Sequence, residues 1–311
     1  MTDLDAELAQ LATERSRPEL SDLDTWSARD LVAAIADDDA GVPAAVASAG
    51  DSIAAAVDVV VGRLERGGRL VYAGAGTPGR LGILDAVECV PTFGTDPDQV
   101  TALIAGGTDA ITASREGAED DPDAAAKAVA AIGIGPADVL VAITASGRTP
   151  YVLGAANAAR ESGAATIGIS NNADSRLSSL VDVAIEVCTG PEIVAGSTRM
   201  KAGTAQKLVL NTLTTASMVR LGKTYGNLMV DVLTTNDKLR SRAQRIVMEA
   251  TGVPLEEAAQ TLAAADGQVK TAIVALLTRI DVPEARNRLA ACAGRVRAAV
   301  HDGPVARGTP T

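Results

Sequence analysis

The chain has 311 residues, 47% hydrophobic but only 2% aromatic, so any core must be built mainly from Ala, Val, Leu and Ile. That balance excludes a disordered or disulfide-stapled chain, and Cys89, Cys188 and Cys292, widely spaced and without C-x-x-C pairing, read as reduced thiols. A net charge of −11 argues against nucleic-acid binding, and neither an apolar leader nor an apolar run approaching ~20 residues is visible, so a cytoplasmic protein without membrane or nucleic-acid partners is expected.

In chain order, residues 1–40 read as loosely organised helix, with Asp37-Asp38-Asp39 a solvated corner. Pro43 opens a run with helical spacing that stops at Gly67-Gly68. Arg69–Gly74 reads as a strand, followed by a glycine turn (Gly74, Gly76, Gly79) and a helix beginning near Pro78–Arg80 and closed by Pro91. Thr101–Ala105 is a second strand. Pro122 opens a helix after the acidic turn Glu116–Asp121. A buried strand within 138–146 leads through Ser146-Gly147-Arg148-Thr149-Pro150 into an amphipathic helix, and strands follow at Ala165–Ser170 and Leu180–Val187. Beyond Thr198 the pattern is helical: a run of about six turns, a second helix within 225–252, and three short helices broken at Gly267 and Pro283. The expected fold is α/β, a doubly wound, mostly parallel sheet with N-terminal helices and a small C-terminal helical bundle. The expected divisions are 1–58, 59–222 and 223–311.

The only histidine, His301, leaves no means of building a His-based zinc site or a Ser-His-Asp triad, so acid–base chemistry falls to carboxylates, Lys, Tyr or Cys. Gly74-Ala75-Gly76-Thr77-Pro78-Gly79 formally matches the G-x-G-x-x-G dinucleotide fingerprint. The acidic partner expected about 20 residues on is badly placed, because Asp96 and Asp98 precede the next strand rather than close it. A second turn, Ser146–Pro150, offers hydroxyls and N–H groups at a helix start, although Ser146 or Thr149 could equally serve as an N-cap. With Ser197, Thr198, Arg199 and Lys201 at a third helix start, the three turns together suggest a phosphosugar pocket.

The segments GAGTPGRLG, AVECVPT, LIAGG, GAEDD, ASGRTPYV and GPEIVAGSTRMKAGTAQKLVLN together resemble the N-acetylmuramic acid 6-phosphate etherase family, among the sugar-isomerase (SIS) domain proteins and related to the glucokinase regulatory protein. The resemblance runs from about Leu11 to about Val274, with Gly190–Lys207 its most specific signature. One departure stands in the glycine loop, where the family usually has serine and this chain has Pro78, losing a hydroxyl donor. The resemblance implies an SIS-type fold for 59–222, a homodimer with a shared site, and a lyase without metal or redox cofactor. That lyase cleaves the D-lactyl ether by elimination followed by water addition. The alternatives are a non-catalytic phosphosugar-binding regulator and a phosphosugar isomerase. By resemblance Glu88 is the proton donor and Glu119 the base, with Gly76, Thr77, Gly79, Arg80, Ser146, Gly147, Thr149, Ser197 and Lys201 binding substrate and phosphate.

A proton donor must be protonated at working pH, which calls for burial of Glu88 among Ala86, Val87, Cys89 and Val90, helped by repulsion from Asp85. A continuous helix would carry Glu88 about 13 Å along its axis from Gly79. So either the helix ends early and folds back, or Glu88 serves a site in another subunit.

Overall fold

The computed structural model of the chain describes residues 11–232 and 237–301; the readings for residues 1–10, 233–236 and 302–311 lie outside the described residues. The chain forms two compact units, Met1–Val87 with Pro97–Thr215 and Glu88–Asp96 with Ala216–Thr311.

The first unit is built on five parallel strands: β1 Leu70–Gly74, β2 Val100–Ile104, β3 Val139–Ile143, β4 Ala165–Ser170 and β5 Val183–Glu186. Their order is β2-β1-β3-β4-β5. Every residue of β1, β3 and β4 is buried, as continuous apolar runs require when helices cover both faces of a parallel sheet. Val71, Ala73, Leu140 and Ala142 pack on one face against the helices Pro122–Ala131 and Pro150–Glu161. On the other face Tyr72 meets the helix Gly76–Phe93, so closely that a Cβ on Gly82 would stand 2.9 Å from Tyr72 Cβ. Between β1 and β3 the strand order reverses, and in such sheets the crevice beyond the strand ends at that point is where ligands lie.

Several elements differ from expectation. The first helix after the glycine turn starts at Gly76 and continues through Pro91 to Phe93. Proline there has no N–H to give the carbonyl of Val87, a residue on the exposed face of the helix. The stretch expected to be helical after Thr224 begins instead as a hairpin, Thr224–Tyr225 against Leu228–Met229. Gly226, at φ 59°, makes the two-residue turn.

The second unit is chiefly helical, with Asp237–Thr251 followed by four short helices, Leu255–Ala264, Val269–Thr278, Val282–Ala291 and Val296–His301, rather than three. Pro283 lies in the first turn of one of them, whose N-cap Asp281 accepts the Glu284 N–H at 2.8 Å; it opens that helix rather than breaking one. Val247, Ala258, Ala272, Ile273 and Ala285 form its core. Among the described residues no single helix is long and apolar enough to cross a membrane.

Candidate active site

Two strand-to-helix junctions meet where the strand order reverses. β1 ends at Gly74 and the next helix begins at Gly76, leaving only Ala75 between them. The turn closes because Gly76 takes a φ of 58° and because two glycines face each other. A Cβ on Gly74 would stand 2.6 Å from the Gly79 nitrogen, and one on Gly79 would stand 2.7 Å from Ile104 Cγ1. The spacing that resembles a dinucleotide fingerprint therefore presses helix onto strand and turns the first N–H groups of the helix beyond the strand end. Pro78, in that first turn, offers no N–H.

At the second junction, β3 runs through Thr144–Thr149 into the helix Pro150–Glu161. Thr149 occupies the N-cap position, yet its side chain makes no capping bond. Its Oγ1 instead lies 2.7 Å from Thr144 Oγ1, which is also 3.3 Å from Ser146 Oγ. The capping alternative thus falls away, and three hydroxyls cluster at the strand end.

These junctions wall a cavity of about 360 Å³, large enough for one small ligand. The hydroxyl residues Thr77, Thr144, Ser146, Thr149 and Thr198 line it with Arg148 and with the acids Glu14, Glu119 and Asp120. Glu119 and Asp120 arrive on the short turn Ala118–Asp120, after Gly117 in the left-handed region. The next acid, Asp121, accepts the Ala124 N–H at 2.9 Å and caps the following helix. One acidic run thus supplies both a helix cap and two cavity groups. Such a wall matches a ligand with a phosphate at one part and neutral hydroxyl or amide groups at another.

The chain is 54% identical to an N-acetylmuramic acid 6-phosphate etherase from Streptomyces avermitilis, over 97% of each chain. It is 56% identical to one from Rubrobacter xylanophilus, over 88% of this chain and 91% of that one. The chain belongs to the N-acetylmuramic acid 6-phosphate etherase family. Residues 52–160 match the glucokinase regulatory protein N-terminal SIS domain, and residues 122–216 match the SIS domain. A phosphoheptose isomerase from Francisella tularensis shares the fold at a TM-score of 0.50 and 20% identity, covering 62% of this chain and 100% of that one.

Within this etherase-family fold, the cavity brings together Gly76, Thr77, Glu119, Ser146 and Thr149 from among the expected residues. The others do different work. Gly79 closes the glycine turn, and Gly147, at φ 73°, backs onto Ser175, where a Cβ would collide. Arg80 donates to the carbonyls of Ile111 (3.0 Å) and Ala113 (3.1 Å) and does not line the cavity. Gly196 and Thr198, not Ser197, reach the wall. Lys201 is buried, its ammonium 2.9 Å from Asp38, which also takes Arg17 at 2.6 Å. The expectation of a solvated Asp38 is corrected with it. In the same signature the buried Glu192 accepts the N–H groups of Lys201 (3.0 Å) and Ala202 (2.9 Å), holding a carboxylate at the start of the helix Lys201–Arg220.

Glu88 departs further from expectation. The helix is unbroken from Gly76, which carries Glu88 roughly 18 Å along the axis from its first residue. Asp85, Ala86 and Cys89 are buried, whereas Leu84 (52% exposed), Val87 (61%), Glu88 and Pro91 share the outer face at helical spacing. The apolar neighbours expected to bury Glu88 therefore sit beside it on an open face or point away from it. Asp85 is turned inward, accepting from Tyr72 Oη (2.7 Å), Asn211 Nδ2 (2.8 Å) and Thr214 Oγ1 (3.2 Å). Burial pushes its carboxyl above the usual range, against those three donors and the charge of Lys207. Glu14, Thr144 and Arg148 were missing from the expected site. Arg148 lay inside a turn already singled out, but nothing in the type or spacing of Glu14 marks it.

Proposed function

We propose that the chain is a cytoplasmic, homodimeric lyase that cleaves the D-lactyl ether of N-acetylmuramic acid 6-phosphate, giving N-acetylglucosamine 6-phosphate and D-lactate. The observation that carries the proposal is a phosphosugar-sized cavity, with hydroxyl donors and Glu119 on its wall, in a chain 54% identical to a named etherase over 97% of its length. Phosphate is held by the hydroxyls of Thr77, Ser146 and Thr149 and by the N–H groups at the start of the helix Gly76–Phe93. In the open-chain sugar the aldehyde acidifies the proton on the second carbon, and Glu119 removes it. The bond from the third carbon to the lactyl oxygen then breaks, its electron pair leaving with the oxygen, which Glu88 protonates. Water adds to the unsaturated intermediate, its hydroxyl going to the third carbon and a proton returning to the second.

Glu88 acts in the cavity of the partner subunit. Leu84 and Val87 support this, since a second copy covering that exposed apolar face would desolvate Glu88 as a proton donor requires. The three free cysteines fit a reducing compartment. Turnover in deuterated water separates the two roles. Glu88→Gln is expected to keep exchanging the second-carbon proton while losing lactate release by at least 100-fold, and Glu119→Gln to lose both. Loss of exchange in a folded Glu88→Gln protein would overturn the assignment.

A further inference from the structure

The N-terminal segment delivers a third carboxylate to the cavity and is fastened there on both sides of it. Thr13 is fully buried, and its Oγ1 accepts from Asn172 Nδ2 at 3.0 Å, while Asn172 Oδ1 accepts the Ala12 N–H at 2.8 Å. The same Asn172 amide donates to the carbonyl of Ala145, a residue of the cavity wall, at 3.0 Å. On the other side, Arg17 is paired with Asp38. Glu14 lies between these two fastenings.

Its carboxylate sits against the signature loop, where a Cβ on Gly196 would come within 3.4 Å of Glu14 Oε2. The Glu14 N–H donates to the Leu11 carbonyl at 3.1 Å, but among the described residues its carboxylate takes no hydrogen bond or ion pair. The chain is fastened on both sides of an exposed carboxylate that the fold does not use, which leaves that carboxylate available to a ligand. It cannot serve the phosphate, because two anions repel, and the hydroxyls and Arg148 already suit that group. What remains for a carboxylate to accept is a neutral N–H or O–H of the sugar.

We propose that Glu14 is a specificity-determining residue that accepts a hydrogen bond from such a donor on the substrate. This rests on the etherase reading above, so the test measures both turnover and binding. Kinetics of lactate release and calorimetric binding of N-acetylglucosamine 6-phosphate, glucose 6-phosphate and inorganic phosphate would be compared for wild type, Glu14→Ala and Glu14→Gln.

Glu14→Ala is expected to raise KM and to weaken binding of N-acetylglucosamine 6-phosphate by about tenfold or more, with inorganic phosphate and the unfolding temperature unchanged. Glu14→Gln, which keeps an acceptor oxygen but loses the charge, should fall between. If glucose 6-phosphate shows the same loss, the donor is a hydroxyl; if it shows none, the donor is the amide. Unchanged sugar-phosphate binding in Glu14→Ala, or an equal loss for inorganic phosphate, would overturn the proposal. Absence of lactate release from wild type would count against the etherase reading alone, since the binding comparison still decides Glu14.

Discussion

Asp85 shows how little a residue's type says about where it will act. From the sequence it is an acid one turn before Glu88; in the fold it is a buried acceptor for Tyr72, Asn211 and Thr214. Its folded pKa lies above its unfolded value, so the folded chain binds the extra proton in the window between them. Its contribution to stability is therefore complete below the ordinary carboxylate range and is lost as pH rises through the raised value. Asp85→Asn can offer its amide to the Tyr72 oxygen much as the protonated carboxyl would. The variant is expected to match wild type at low pH and to gain on it as pH rises, read as melting temperature against pH. Parallel curves would refute the account of Asp85. The same lesson holds for Lys201 and Arg80, which the family resemblance named for substrate binding but which are committed to Asp38 and to backbone carbonyls. The sequence revealed which atoms could donate but not which way they pointed. Thr77, Ser146 and Thr149 could be placed near one another because the turns that carry them follow strand ends, Glu119 was named only through the family resemblance, and Glu14 was not legible, because its position depends on Asn172.

At the scale of elements, legibility followed local chemistry. The strands within 139–143 and 165–170 were readable because continuous apolar runs have few alternatives in an α/β chain. The glycine turn was legible, but its packing role was not, because only the close approach of Gly74 and Gly79 shows that the motif presses helix onto strand. Two misreadings came from letting apolar periodicity outweigh turn residues. Gly226-Asn227 is a hairpin signal inside a stretch read as helix, and Pro283 follows an Asp able to cap, which marks a helix start. The helix Gly76–Phe93 continues through Pro91 in its last turn, with Val87, four residues before it, on the exposed face.

For the whole molecule, the unbroken helix agrees with the proposal that Glu88 serves a partner's cavity. Mixing subunits tests it. Glu88→Gln protein and Ser146→Ala/Thr149→Ala protein should each be inactive alone, and refolded together in equal amounts they should recover up to about a quarter of wild-type activity, as random pairing with one intact site per mixed dimer allows. No recovery, with mixed dimers shown to form, would place Glu88 and the hydroxyls in one subunit's site or remove Glu88 from the chemistry. The central claim is tested most directly by incubating the purified wild-type chain with N-acetylmuramic acid 6-phosphate and measuring D-lactate. The account predicts one D-lactate released for each N-acetylglucosamine 6-phosphate formed; sugar-phosphate binding with no lactate released would contradict it.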